Sequence, residues 1–239
     1  MPYYYYGGGV DITYLVFMLP ALILSLWAQS KVNSSYRKYN AVRNARGMTG
    51  AEAAAAVLRY HGVTDVGVTM TKGTLTDHYD PRNNTIYLSE AVFHSPSIAA
   101  VGVAAHEAGH AVQYAVGYGP IRIRSLILPV CNFGSRFAFI ALMLGLVLYS
   151  QQLLLAGIIL FSLATVFQLV TLPVEFNASR RALATIEDGG FLTQEEQRGA
   201  KQVLSAAALT YVAALLTSIA QLMRFVLIFL GRGGGRDRR

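Results

Sequence analysis

Residues 97–117 read SIAAVGVAAHEAGHAVQYAVG, and the interpretation of the rest of the chain turns on them. Ser97, just after Pro96, is an N-cap residue by type, and Gly117-Tyr118-Gly119-Pro120 is a helix stop. The Ala- and Val-rich run between them predicts one buried helix. Residues four apart share a helix face, so His106 and His110 of the motif His106-Glu107-Ala108-Gly109-His110 point the same way. Two imidazoles at that spacing suit one Zn²⁺. Glu107, beside them, is placed to take a proton from an attacking water. Two histidines and a glutamate left unpartnered in a buried helix would be costly, and a metal ion partners all three. A chance match on an ordinary core helix is the bland alternative. The mid-helix position of the motif and the lack of competing charge around it argue against that.

Composition sets the class. Of 239 residues, 54% are hydrophobic and 14% charged, and the mean hydropathy is +0.40, too apolar for a soluble domain. The net charge of +7 does not mark a nucleic-acid binder. The basic residues flank apolar spans instead of interleaving with aromatics, which is how membrane proteins record orientation. One cysteine, Cys131, excludes an internal disulfide and a cysteine-based metal site.

No positive segment precedes the first apolar run, which argues against a cleaved signal and for a retained span. The N-terminal tyrosines suit a membrane interface. Ile12 to Ala28 is uncharged and long enough to cross when Val10 and Gln29 are counted at its edges, with a kink expected at Pro20. Lys31, Arg37, Lys38, Arg43 and Arg46 follow, which places this loop in the cytoplasm and the N-terminus outside. Thr49-Gly50-Ala51-Glu52 is a capping box opening an Ala-rich helix that ends at His61-Gly62. Strands are expected over Val63 to Met70, Gly73 to Tyr79 and Thr85 to Leu88. A free strand edge beside the helix could align an extended peptide.

Beyond Ile121-Arg122-Ile123-Arg124, Phe137 to Val174 is a run of 38 residues without a charge, with a turn expected at Ser150-Gln151-Gln152. Arg136 lies near the cytoplasmic end of the first of these two spans, where it can snorkel. The resulting hairpin returns the chain to the side it left. Pro173 suits the first turn of a new helix, Thr193 to Glu196 is a second capping box, and Val203 to Leu230 is a fourth apolar stretch broken by Arg224. Four crossings leave the C-terminal tail outside, although it carries Arg232, Arg236, Arg238 and Arg239.

A catalytic zinc has three protein ligands and an open position, so the histidine pair needs a third. His61, His78 and His94 qualify by type, as do several acids. Glu175 is the best placed, opening a helix after an uncharged span, although a helix N-terminus favours a negative charge for its own reasons. An oxyanion donor is also required, and His78, Tyr79 and Arg180 are candidates.

Four stretches in order, TGAEAAAAVLRYHGV, GTLTDHYDPRNNTIYLSEAVF, SIAAVGVAAHEAGHAVQYA and LPVEFNASRRAL, resemble the YugP-type neutral zinc metallopeptidases of bacterial membranes. The similarity runs from about residue 11 to residue 230. The order of HExxH, hairpin and Glu-bearing helix is also similar to the HtpX-type membrane proteases. The resemblance implies a gluzincin site, with Zn²⁺ on His106, His110 and Glu175 and with Glu107 as general base. The substrate it implies is a protein or peptide, membrane-associated, cut beside the lipid bilayer of the plasma membrane. The chain departs from the pattern in two places. The HtpX-type Asp four residues after the ligand Glu is Ser179 here, and the Asp common in the YugP type is Asn177. Orienting the histidines then falls to another acid, such as Asp77, or to a backbone carbonyl.

The expected fold is mainly α: about four transmembrane helices plus a small α+β zinc-metalloprotease domain with a short sheet beside the HExxH helix. In order, the expectation is an N-terminal tail and first span (1–30), a cytosolic α+β part (31–124), a transmembrane hairpin (125–172), a third-ligand helix and its successor (173–202), a fourth span (203–230) and a disordered basic tail (231–239). Two rival functions remain. A site-2-type intramembrane protease would want an Asp ligand within a span, and no Asp occurs between Asp80 and Asp188. A non-catalytic scaffold would use zinc structurally and would have no need of Glu107.

Overall fold

The computed structural model describes residues 12–233. The tyrosine-rich N-terminus and residues 234–239 of the expected basic tail lie outside the described residues. The element order is α1 (Ile12–Asn40), α2 (Gly50–Tyr60), β1 (Gly67–Thr71), β2 (His78–Asp80), β3 (Thr85–Ser89), α3 (Glu90–Phe93), α4 (Ile98–Ala115), α5 (Gly119–Val147), α6 (Gln151–Asp188) and α7 (Gln194–Gly233). Helices α1, α5, α6 and α7 are each long and apolar enough to cross a membrane. The expected class, mainly helical with four spans and a small sheet, is the observed one.

Contacts divide the chain into two units. One comprises residues 28–126 and 169–212 and holds a core of small and branched residues from α2, β3, α4, α6 and α7. Local rules built its parts. The Thr49 side chain accepts from the Glu52 amide while the Glu52 carboxylate accepts from the Thr49 amide, a complete capping box that starts α2. Ala53, Ala54 and Val57 turn inward, and Gly62 in the left-handed region (φ +68°) follows the end of α2. Ser97 caps α4 by accepting from the Ala100 amide at 3.1 Å. The sheet runs β1-β3-β2, with β1 parallel and β2 antiparallel to β3. Ile86 and Leu88 of the central strand are fully buried, each contributing about 1.5–3 kcal/mol by burial.

The other unit comprises the described residues of 1–27, 127–168 and 213–239. Leu142, Leu154, Ile158 and Phe225 form its core. The α5–α6 turn is tight: a Cβ on Gly145 would lie 2.6 Å from the Leu154 amide nitrogen. Small residues at such points let membrane helices approach. The Arg224 guanidinium lies 5.1 Å from the Tyr14 ring centroid, a cation–π contact that softens a charge inside a span.

Several boundaries differ from the sequence expectation. Strand β1 starts at Gly67, not Val63, and β2 is only His78–Asp80. Gly73 and Leu75 adopt positive φ (108° and 56°), which breaks extended pairing there. Pro173 does not begin a helix. It sits inside the continuous 38-residue α6, as Pro20 and Pro129 sit inside α1 and α5. Apolar sequence before it and helix-favouring residues after it, Ala178, Ala182 and Ala184 among them, sustain the helix, and membrane helices tolerate the lost hydrogen bond. The second capping box, at Thr193 and Glu196, does form. It opens one helix of 40 residues that extends to Gly233, into the stretch expected to be disordered.

Candidate metal centre

Helix α4 carries His106 and His110 one turn apart, with ring centroids 4.7 Å from each other. Helix α6 lies against α4 because Gly109 has no side chain. A Cβ there would sit 2.7 Å from the Ala178 carbonyl oxygen, a distance no packed structure accommodates. That approach brings Glu175 to the histidines. Its Oε2 is 3.3 Å from His106 Nε2 and 3.5 Å from His110 Nε2. One donor atom from each of the three residues lies within 4.8 Å of the others.

The set fits a metal ion. Glu175 is 2% exposed, and its Oε2 is buried without a hydrogen bond. An orphaned carboxylate oxygen facing two imidazole nitrogens asks for a cation. Burial pulls His110 toward its neutral form, yet the hydrogen bond and charge of Glu175 outweigh this and raise its pKa. A proton there stands where a divalent ion would serve better. Two nitrogens and one oxygen in a compact trio suit Zn²⁺.

The imidazole nitrogens facing away from Glu175 have partners. His106 Nδ1 contacts Ser179 Oγ at 3.1 Å, and His110 Nδ1 contacts Gln113 Oε1 at 3.0 Å. This corrects the expectation that Asp77 or a backbone carbonyl orients the rings. The Asp77 carboxylate instead accepts from the Ser89 amide and hydroxyl, pinning the end of β3. Arg124 Nη2 approaches the other Glu175 oxygen at 3.7 Å. Tyr211 of α7 interacts electrostatically with both Glu175 and Glu107.

The other candidates lie apart from the trio, with no hydrogen bond or ion pair joining them to it among the described residues. His78 is exposed, stacks on Tyr87 at 5.0 Å and contacts the Thr76 carbonyl. Tyr79 donates its hydroxyl to Asn84 Oδ1, and burial first, then the nearby Tyr114, Asp65 and Asp80, push its pKa up to about 12. Arg180 is exposed. His61 contacts Thr185 Oγ1 at 2.9 Å, and His94 ends the short α3. Sequence reasoning missed Gln113 and Tyr211. Gln113 was within reach, since it lies three residues beyond His110 on the same helix. Tyr211 carried no signal, because only the fold brings α7 to α4 and α6.

A family model described as "Putative neutral zinc metallopeptidase" matches residues 14–230. A protein of Bacillus subtilis (strain 168) named "Putative membrane protease YugP" is 50% identical over 224 residues, 94% of this chain and 98% of that protein. No solved structure matches.

Proposed function

The chain belongs to that family, and from this premise we propose that it is a membrane-embedded zinc endopeptidase acting at the cytoplasmic membrane surface. The observation that carries the reading is a donor set of three, with the general-base glutamate next to the first histidine. Structural zinc sites are closed by four protein ligands, whereas catalytic ones keep a position open. His106, His110 and Glu175 form the only such group among the described residues, which favours catalysis over a scaffold.

His106 and His110 would hold zinc through Nε2 and Glu175 through Oε2. When bound, the ion supplies Lewis-acid polarisation of water and of the scissile carbonyl. The rest falls to the chain. Glu107 takes the proton of the attacking water at its carboxylate and hands it to the leaving amine nitrogen. Ser179 and Gln113 keep the imidazoles turned toward Glu175. For the oxyanion, we assign the hydrogen-bond donor to Tyr211, which interacts electrostatically with Glu107 and Glu175, in preference to His78, Tyr79 or Arg180. The edge strand β2 offers backbone groups to an extended peptide.

Metal analysis paired with proteolysis of unfolded membrane-protein substrates tests the reading. Glu107→Gln keeps zinc and loses about 10²–10⁴-fold in turnover; unchanged turnover removes Glu107 from the mechanism. Cleavage inside a substrate's span, instead of in its cytosolic loops, would favour a site-2-type enzyme.

A further inference from the structure

The hydrogen bonds behind His110 form a chain whose direction is fixed at both ends. Arg181 Nε, a pure donor, gives its hydrogen to Asn177 Oδ1 at 2.8 Å. That identifies the Asn177 oxygen and leaves it facing Gln113, whose Nε2 donates to it at 3.0 Å. The same Nε2 donates to the Val174 carbonyl, a pure acceptor, at 2.8 Å. Reversing the Gln113 amide would set its oxygen against the Val174 carbonyl and the Asn177 oxygen, two acceptors with no hydrogen between them. Gln113 Oε1 is therefore turned to His110 Nδ1 at 3.0 Å, and it can only accept. In the neutral ring the His110 proton must therefore sit on Nδ1, which leaves Nε2, 3.5 Å from Glu175 Oε2, as the nitrogen with the lone pair. Gln113 is fully buried, so no water competes for these bonds.

We propose that Gln113 is a positioning residue, fixing the neutral His110 ring as the Nδ1–H tautomer so that Nε2 is the nitrogen presented to a metal. Arg181 and Asn177 hold the amide that does so. The inference rests on the zinc reading for its purpose but not for its geometry. The network also joins α4 to α6 through the Val174 carbonyl, one residue before Glu175. The device that orients one ligand is thereby anchored beside another. A neutral amide takes the place a carboxylate often holds behind a zinc histidine. It orients the ring without adding a buried negative charge.

Two measurements test this. The first is nitrogen-15 NMR of histidine-labelled, metal-free full chain at alkaline pH, where the imidazoles are neutral. His110 should show Nδ1–H with an unprotonated Nε2, and the opposite tautomer, or a mixture, overturns the proposal whether or not the chain binds zinc. The second is zinc affinity by chelator competition for wild type and Gln113→Met. A fall of about 10–100-fold is expected for the variant. A folded Gln113→Met chain with wild-type affinity overturns the proposal. Asn177→Asp, which still accepts from both Arg181 and Gln113, should keep wild-type affinity and tautomer; a loss as large as that of Gln113→Met would place the control elsewhere. A wild-type chain that takes no zinc defeats the peptidase reading alone.

Discussion

Gly109 sets the distance between α4 and α6, the helices that carry the candidate metal ligands. Substituting Ala would force a methyl group to 2.7 Å from the Ala178 carbonyl, an overpacking that costs about 1–3 kcal/mol. Gly109→Ala should lower both the thermal midpoint and zinc affinity, and a variant that loses neither would show that α4 and α6 can part freely. Glu175→Ala should reduce zinc content; full occupancy would move the third-ligand role to another residue. Ser179→Ala removes the partner of His106 Nδ1 and should weaken zinc about tenfold, with Ser179→Asp restoring it. Tyr79 carries a pH signature. Its folded pKa near 12 lies above the unfolded value near 10, so its contribution is complete below about pH 10 and is lost as pH rises toward 12. Tyr79→Phe should flatten the alkaline limb of a stability–pH profile. At this scale the HExxH residues were legible because a single helix carries them. Glu175 was legible by resemblance. Tyr211 was not, because its proximity to the trio exists only in three dimensions.

Among the elements, those with chemical punctuation were read best. The Thr49–Glu52 box, the Ser97 cap and the left-handed Gly117 (φ +66°) mark α2 and α4 where the sequence places them. Thr49→Ala should cost about 1 kcal/mol of stability, measured by chemical unfolding, and no loss would mean that tertiary packing alone holds α2. Joints between long helices were misread because proline and polar residues look like boundaries. Pro173 lies within α6, and the polar opening of α7 runs unbroken into its apolar stretch. The local context that makes a proline a helix start in a soluble chain is overruled where an apolar span precedes it and helix-favouring residues follow. Strand β2 was overestimated for the opposite reason: alternating residues before it meet a left-handed Leu75 that no pattern announces.

For the whole molecule, zinc should act as a stabilising ligand. At a hundredfold excess over its dissociation constant it adds about 2.7 kcal/mol, so chelation should lower the thermal midpoint of wild type and leave Glu175→Ala little changed. Equal shifts in both would place the metal elsewhere. The positive-inside rule applied to the basic loop after the first span predicts the orientation. A reporter fused to the C-terminus should report the external side, and a cytoplasmic signal would revise the count of crossings or the side of the site. Helix α6 runs without a break from Gln151 to Asp188, so its apolar stretch and the carboxylate that would bind the metal lie along one helical screw. Each residue of such a screw advances 1.5 Å and turns about 100°. Deleting one residue from its apolar half would therefore turn the residues before the deletion by about 100° relative to Glu175, whereas removing four would nearly restore the phase.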